Sequence, residues 1–192
     1  MKQYLGNSEF INWNCPEIKE VARYLKGDLI TDVEIAKACF EYVRDSIEHT
    51  WDIQSDIITC KASDVLRHKT GYCYAQSHLL AAILRANGIP AGLCYQRLAI
   101  SEHEFRYCLH GLNAVYLNDY AWYRLDPRGN NKNVQAAFTP PIERLAYRTD
   151  GELESDIQGV WPEPLPVIVK TLQQYDTCQA VFDNLPDIEL YA

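Results

Sequence analysis

The chain has 192 residues, of which 47% are hydrophobic and 23% are charged, and its formal net charge is −8. A chain of this length and composition can bury one hydrophobic core. We therefore expect a single domain over 1–192, with a core over about 15–130 and a loop-rich extension over about 131–192. The acidic balance and the lack of a lysine- or arginine-rich cluster argue against nucleic acid and anionic membranes as main partners.

The N-terminal segment and the cysteines predict a cytoplasmic location. Residues 1–13 lack the apolar run of an export signal, and the longest apolar run, Leu79–Leu84, is too short to span a bilayer. The seven cysteines are odd in number and irregularly spaced, which is not typical of a disulfide framework. They also lack the spacing of a zinc site, so we interpret most of them as small buried residues in a reducing compartment.

The first half of the chain carries helical patterns. Proline at a first helical position, a Thr31–Glu34 capping box and apolar residues on one face predict two packed N-terminal helices. A later helix is apolar on more than one side, which is typical of a central, buried helix. The four expected helices run from Pro16 to Gly27, from Thr31 to Ile47, from Ser63 (as a cap) to Leu66, and from Tyr72 or Cys73 to Gly88.

After residue 90 the pattern changes to runs rich in tyrosine, tryptophan, leucine and valine. The expected strands are Ala91–Ile100, Cys108–Leu117 and Tyr120–Leu125, with a polar loop at 101–104 and a turn at Asn118-Asp119. Helices first and strands later favour an α+β fold over alternating α/β. The section from Arg128 onward is expected to be loop-rich, with one helix near Val167–Tyr175, and to cover a sheet edge rather than wall a cleft.

Cys73 falls on the first turn of the expected central helix, directly after a glycine turn. Backbone N–H groups there have no intrahelical partner, and the helix dipole adds partial positive charge. Both effects favour the thiolate, which is the reactive form of cysteine. Cys73 is therefore a candidate nucleophile, although an isolated cysteine in an apolar helix is more often structural.

His110 and Asp126 flank the expected hairpin and are the residue types that a nucleophilic thiol needs. On paired antiparallel strands, residues equidistant from the centre of the turn lie opposite each other on one face. A three-residue loop 117–119 centred on Asn118, or a bulge, would place the two side chains together. Taken alone, His110 could be a structural hydrogen-bonding residue and Asp126 before Pro127 could belong to a turn.

If these side chains meet, their roles follow from chemistry. Cys73 attacks, and His110 takes its proton, or already holds it as an ion pair, and later donates it to the leaving amine. Asp126 fixes the imidazole tautomer and stabilises the imidazolium. The backbone N–H of Cys73 supplies half of an oxyanion hole, and Trp51 and Gln54 are weak candidates for the other half.

We expect no catalytic role for the following histidines and cysteines. His49, His68 and His103 are expected at the surface, and Cys94 and Cys108 in the core.

Three blocks of the sequence form a pattern: Gly71-Tyr72-Cys73 with the helix end Leu84–Ala91, His110 ahead of Asn113–Leu117, and Trp122–Pro127. Cys73, His110 and Asp126 are separated by 37 and 16 residues. Together these blocks resemble the transglutaminase-like superfamily of papain-like thiol enzymes. The resemblance implies N-terminal helices and a central Cys-bearing helix packed on an antiparallel sheet. It also implies Cys73, His110 and Asp126 as nucleophile, base and orienting acid, with no metal or cofactor. One departure is the segment His110-Gly111-Leu112, where many relatives have His-x-Trp.

The resemblance implies a thiol acyl-transfer enzyme that acts on an amide bond of a peptide or protein through a Cys73 acyl-enzyme. Water as acceptor would make it a cysteine protease or amidase, and an amine would make it a transglutaminase. Both share the acylation step, and relatives of this size favour the hydrolase. The alternative is a non-catalytic or vestigial peptide-binding module with the same fold.

Overall fold

The computed structural model describes residues 1–101, 104–132 and 134–188 of the chain. After a short 3₁₀ turn at Lys2–Leu5, the elements in chain order are α1 Pro16–Lys26, α2 Asp32–Ser46, β1 Glu48–His49, α3 Ala62–His68, β2 Thr70–Gly71, α4 Cys73–Ala86, β3 Ala91–Ser101, β4 Glu104–Leu117, β5 Ala121–Leu125, β6 Ser155–Trp161, α5 Pro166–Gln174 and α6 Cys178–Asp183. This arrangement confirms the expected α+β class. In the described part of the chain, no helix has the length and apolar character needed to cross a membrane.

Helix α4 is the centre of the structure. Every residue from 73 to 85 is buried, because α1, α2 and α3 pack on the helix and β3 and β4 contact it as well. Its end is held by Arg85, whose guanidinium donates to the carbonyl oxygens of Gly6, Ala91 and Pro162 at 2.5–3.0 Å. A buried guanidinium is tolerated where its donors are paired. The arginine of the helix-end block is therefore a structural anchor.

The four-stranded sheet is antiparallel, with the strand order β5-β4-β3-β6. Strands β1 and β2 form a separate parallel pair in which His49 lies beside Gly71. This pairing brings the segment after α2 next to the residue that precedes α4 by two positions. The parallel pair and the start of α4 thereby come to one place.

Most elements lie where the sequence placed them, with one wrong helix start. The α2 capping box is present, and α1 begins at Pro16 as expected. Helix α3 begins at Ala62 rather than after a Ser63 cap. Ser63 lies in the first turn, where its backbone N–H and hydroxyl both bond the Asn12 side chain, so a long-range contact replaces the expected local cap.

The C-terminal section contains more regular structure than expected. The predicted helix is α5, but β6 and α6 have no counterpart among the expected elements. Strand β6 pairs with β3, so the section does cover a sheet edge. Of the expected polar loop, Ser101 and Glu104 are paired strand residues, whereas Glu102 and His103 lie outside the described residues.

Candidate active site

His110 and Asp126 are brought together by the β4–β5 hairpin. Leu117 pairs with Ala121, so the connecting loop has three residues but lies one position later than expected. The register therefore does not place His110 directly opposite Asp126, and that detail of the expectation is wrong. The two side chains still share a face, and His110 Nε2 lies 2.8 Å from Asp126 Oδ2.

The Asp126 carboxylate is fully buried and is held by three donors. Besides the His110 ring, the backbone N–H of Arg128 donates to Oδ1 at 3.0 Å and that of Ala146 donates to Oδ2 at 3.1 Å. Together these donors fix the orientation of the carboxylate. Asp126 is thus positioned to orient the imidazole through its Nε2.

Cys73 begins helix α4 and meets strand β4. Its Sγ accepts a hydrogen bond from the backbone N–H of Gly111 at 3.4 Å, and the neighbouring Tyr74 hydroxyl donates to the Leu109 carbonyl oxygen. A Cβ on Gly111 would lie 2.8 Å from Tyr74 Cδ1 and 3.1 Å from Tyr74 Cα. Glycine is therefore needed at this position for the helix start and the strand to approach so closely.

The His110 imidazole is 5% exposed. Its neighbours are the Asp126 carboxylate and the Cys73 side chain. Burial disfavours its charged form, but the negative charge of Asp126 and the Cys73 side chain outweigh burial and raise the pKa of His110 to about 10. The Tyr147 ring packs edge-on against it at 4.9 Å between centroids. With Nε2 bonded to Asp126, Nδ1 is the nitrogen left for Cys73.

A cleft of about 330 Å³ opens beside Cys73 and His110. Its wall includes His49, Trp51 and Tyr72, together with side chains of strands β3 and β4. The C-terminal section contributes Tyr147, Arg148, Glu154, Phe182 and Leu185. That section therefore walls the cleft as well as covering the sheet edge, which corrects the expectation that it would do only the latter.

The sequence of the core decides the family. The sequence model of the Transglutaminase-like superfamily matches residues 19–127, which is more than half of the chain. The chain belongs to this superfamily. A comparison with curated protein sequences finds no match.

A comparison with solved structures finds proteins to which the chain is similar. One is a "putative cysteine protease" from Cytophaga hutchinsonii, which is 18% identical with a TM-score of 0.50 and aligns over 65% of this chain and 40% of that one. Another is the periplasmic domain of TgpA from Pseudomonas aeruginosa, 18% identical with a TM-score of 0.48, over 65% and 45% of the two chains. The chain thus spans less than half the length of either protein. At 18% identity, the similarity to the Cytophaga hutchinsonii protein shows a shared fold and no more.

The departure from the superfamily's His-x-Trp pattern falls in the core. Leu112, at the position of the aromatic residue, is fully buried and packs with Cys94 and Ala114. The cleft wall near His110 is instead aromatic through Tyr147. An aromatic neighbour from the C-terminal section thereby lies beside the histidine.

The two candidates for the second oxyanion-hole donor fare differently. Gln54 is exposed and donates to the Trp51 carbonyl oxygen, so it does not reach the cleft. Trp51 does line the cleft, where its ring stacks on Phe182 with 3.9 Å between centroids.

Several cleft residues were missed or misplaced by the sequence interpretation. His49 and Cys108 line the cleft, although they were expected at the surface and in the core, whereas His68 is exposed and Cys94 is buried as expected. Arg128, 5% exposed, donates to both carboxylate oxygens of Asp52 at 2.8 Å. These partners are 76 residues apart, and 50–62 has no periodicity that would indicate the pairing. None of the seven cysteines, all of which lie in the described part of the chain, forms a disulfide bond.

Proposed function

We propose that the chain is a thiol acyl-transfer enzyme that cleaves an amide bond in a peptide or protein through an acyl-enzyme on Cys73. The observation that carries the proposal is the placement of the His110 ring. It is hydrogen-bonded to the buried Asp126 carboxylate and lies beside a cysteine that begins a helix and borders a cleft. This is the order nucleophile, base and orienting acid that thiol catalysis requires.

The reaction follows in two balanced steps. The Cys73 thiolate attacks the carbonyl carbon, a carbon–sulfur bond forms, and the π electrons move to oxygen. The carbon–nitrogen bond then breaks as protonated His110 gives its proton to the leaving amine. Water then attacks the thioester carbonyl while neutral His110 takes its proton, the carbon–sulfur bond breaks, the carboxylic acid is released, and the thiolate and protonated His110 are restored.

The electrostatics of His110 fit the first step. A pKa raised to about 10 keeps the ring protonated near neutral pH, so it serves as an acid for the leaving amine. An imidazolium beside a sulfur at a helix start also favours the thiolate. Asp126 stabilises that imidazolium and is proposed to remain ionised throughout.

The proposal also covers the acyl acceptor, the cellular location and the domain organisation of the protein. We propose water rather than an amine as acyl acceptor, and one domain over the whole chain. The seven unpaired cysteines support a reducing, cytoplasmic setting. The alternative is a folded peptide-binding module without turnover, and the following experiment distinguishes it from an enzyme.

The test is the rate of alkylation by iodoacetamide at pH 6, with each cysteine followed by peptide mass spectrometry. An ordinary thiol is mostly protonated at this pH, so we expect Cys73 to react at least about tenfold faster than the partly exposed Cys15. His110→Ala should remove this difference and leave Cys15 unchanged. Labelling of Cys73 no faster than Cys15 in the wild type would favour the binding module.

The acceptor is tested separately with casein and a fluorescent primary amine. Hydrolysis yields new carboxyl termini that carry one ¹⁸O atom from labelled water, whereas transfer attaches the amine to the acyl group. Amine attachment as the main product, lost in Cys73→Ala, would assign the chain to the cross-linking enzymes instead.

A further inference from the structure

His49 stands beside the start of helix α4 because of a backbone pairing. It ends β1, and its partner in the parallel bridge is Gly71, two residues before Cys73. Its ring packs edge-on against Tyr72, the residue before Cys73, with 5.5 Å between centroids. The imidazole therefore borders the same cleft as the Cys73 side chain.

The His49 imidazole has unused hydrogen-bonding capacity. Its side chain is 10% exposed, and its Nδ1 is buried without a hydrogen-bond partner. The neighbouring carboxylate oxygen, Asp52 Oδ1, is 4.0 Å away and already accepts from the Arg128 guanidinium. An unpaired buried polar atom costs about 1–3 kcal/mol, and such groups call for an explanation. Since Nδ1 is enclosed, Nε2 is the nitrogen that remains for a ligand in the cleft.

The two cleft histidines have opposite electrostatic environments. Burial and the positive charges of Arg128 and His110 lower the pKa of His49 to about 3, although the negative charge of Asp52 opposes them. His49 is therefore neutral at physiological pH and too weak a base to take the thiol proton. A neutral imidazole still carries one N–H, which can donate to an oxygen that gains negative charge. Histidines with pKa values moved apart in this way have different roles in one site.

We propose that the Nε2–H of His49, together with the backbone N–H of Cys73, binds the carbonyl oxygen of the scissile amide and stabilises the oxyanion. This inference rests on the proposed function. It supplies the second donor that the sequence left open, in place of Gln54. Trp51, stacked on Phe182, is the rival that the experiment below must be able to favour.

The test compares two reactions of Cys73 that differ in one respect. 4-Nitrophenyl acetate acylates the sulfur: a carbon–sulfur bond forms, a tetrahedral oxyanion appears, and 4-nitrophenolate leaves. Iodoacetamide alkylates the same sulfur at a saturated carbon and forms no oxyanion. A residue that stabilises the oxyanion affects only the acylation, whereas a residue that positions or activates the sulfur affects both reactions.

Three substitutions of His49 separate donor chemistry from packing. His49→Phe removes both ring nitrogens, and we expect about a 10²-fold loss of acylation rate, which is typical of one lost oxyanion donor, with alkylation unchanged. His49→Gln sets an amide nitrogen near the position of Nε2 and should recover much of the rate. His49→Asn places its amide nearer Nδ1 and should not. The exposed His68, changed to Phe, is the matched control and should leave both reactions unchanged.

The outcomes are distinct. Equal loss of acylation and alkylation in His49→Phe, no loss of either, or equal acylation rates for His49→Gln and His49→Asn overturns the assignment. A selective loss of acylation in Trp51→Phe with none in His49→Phe gives the role to Trp51. If His49→Phe does not fold, the Gln and Asn variants decide the question alone. A wild-type Cys73 inert to both reagents overturns the proposed function itself.

Discussion

The backbone N–H of Gly111 donates a hydrogen bond to the sulfur of Cys73 across 3.4 Å. The strand residue next to His110 thus holds the sulfur that His110 is proposed to activate. A donor aimed at sulfur stabilises a thiolate more than a neutral thiol. Strand β4 therefore sets the relative position of the His110 ring and the Cys73 sulfur through two consecutive residues.

Gly111→Ala should disturb this arrangement. The added methyl group would meet both the ring and the backbone of Tyr74 at 2.8–3.1 Å, so strand and helix must separate. We expect a loss of about 1–3 kcal/mol in the free energy of unfolding, as for other overpacked sites, together with slower alkylation of Cys73. Urea unfolding measures the first effect. Gly6→Ala is the control because its Cβ has only an ordinary contact at 3.4 Å; equal urea midpoints for the two variants would contradict the prediction.

Asp126→Asn should lower the pKa of His110. The wild-type value of about 10 depends on the carboxylate charge, which opposes the effect of burial. Without that charge, burial lowers the pKa of His110 with less opposition, so the ring loses its proton at lower pH. The alkaline limb of the pH profile of acylation should then shift to lower pH. An NMR titration of the His110 ring, assigned with His110→Ala, measures the shift directly, and we expect about a 10²-fold slower acyl transfer near neutral pH. A titration midpoint unchanged by the substitution would show that Asp126 does not control the ring.

The sequence correctly predicted the features that depend on neighbouring residues in the chain. The capping box, Pro16 and the apolar faces of α4 are signals within one helix, and they placed α1, α2 and α4 correctly. Parity placed His110 and Asp126 on a common face because the side-chain period of a strand is two. The turn centre was wrong by one residue, since the position of a hairpin loop depends on contacts that the strand pattern does not contain.

The rest of the site depends on contacts between distant segments. His49 was assigned to the surface because its neighbours are polar, but the β1–β2 pairing places it in the cleft. Arg128 and Asp52 meet only after the hairpin and the segment after α2 have come together. Ser63 is a favourable capping residue type, yet its hydroxyl accepts from the Asn12 side chain and the helix begins at Ala62. In each case the outcome depends on a contact with a residue distant in the chain, which the local sequence does not contain.

Asp52→Ala should destabilise the fold through Arg128. The guanidinium is buried, and loss of the carboxylate leaves two of its bonds unmade. Breaking a fully buried pair costs about 3–5 kcal/mol, and because the Asp52 side chain is 35% exposed we expect about 1–3 kcal/mol. Urea unfolding measures the change, with exposed Asp28→Ala as the control. The same urea midpoint for Asp52→Ala and Asp28→Ala would mean that the pair contributes nothing to stability.

Phe182→Ala should open the cleft from its C-terminal side. The Phe182 ring stacks on Trp51 at 3.9 Å and 15°, so this contact joins α6 to the part of the cleft wall that follows β1. A stacked pair contributes about 0.5–1.5 kcal/mol beyond the area that it buries, and we expect a loss of about 1–2 kcal/mol in the free energy of unfolding. A wider cleft should admit a bulky aromatic disulfide reagent to Cys73 more readily, so its rate should rise relative to that of iodoacetamide. Phe182→Tyr keeps the ring and should leave the ratio of the two rates unchanged. If Phe182→Ala slows both reagents alike, the wall positions the nucleophile rather than limiting access to it.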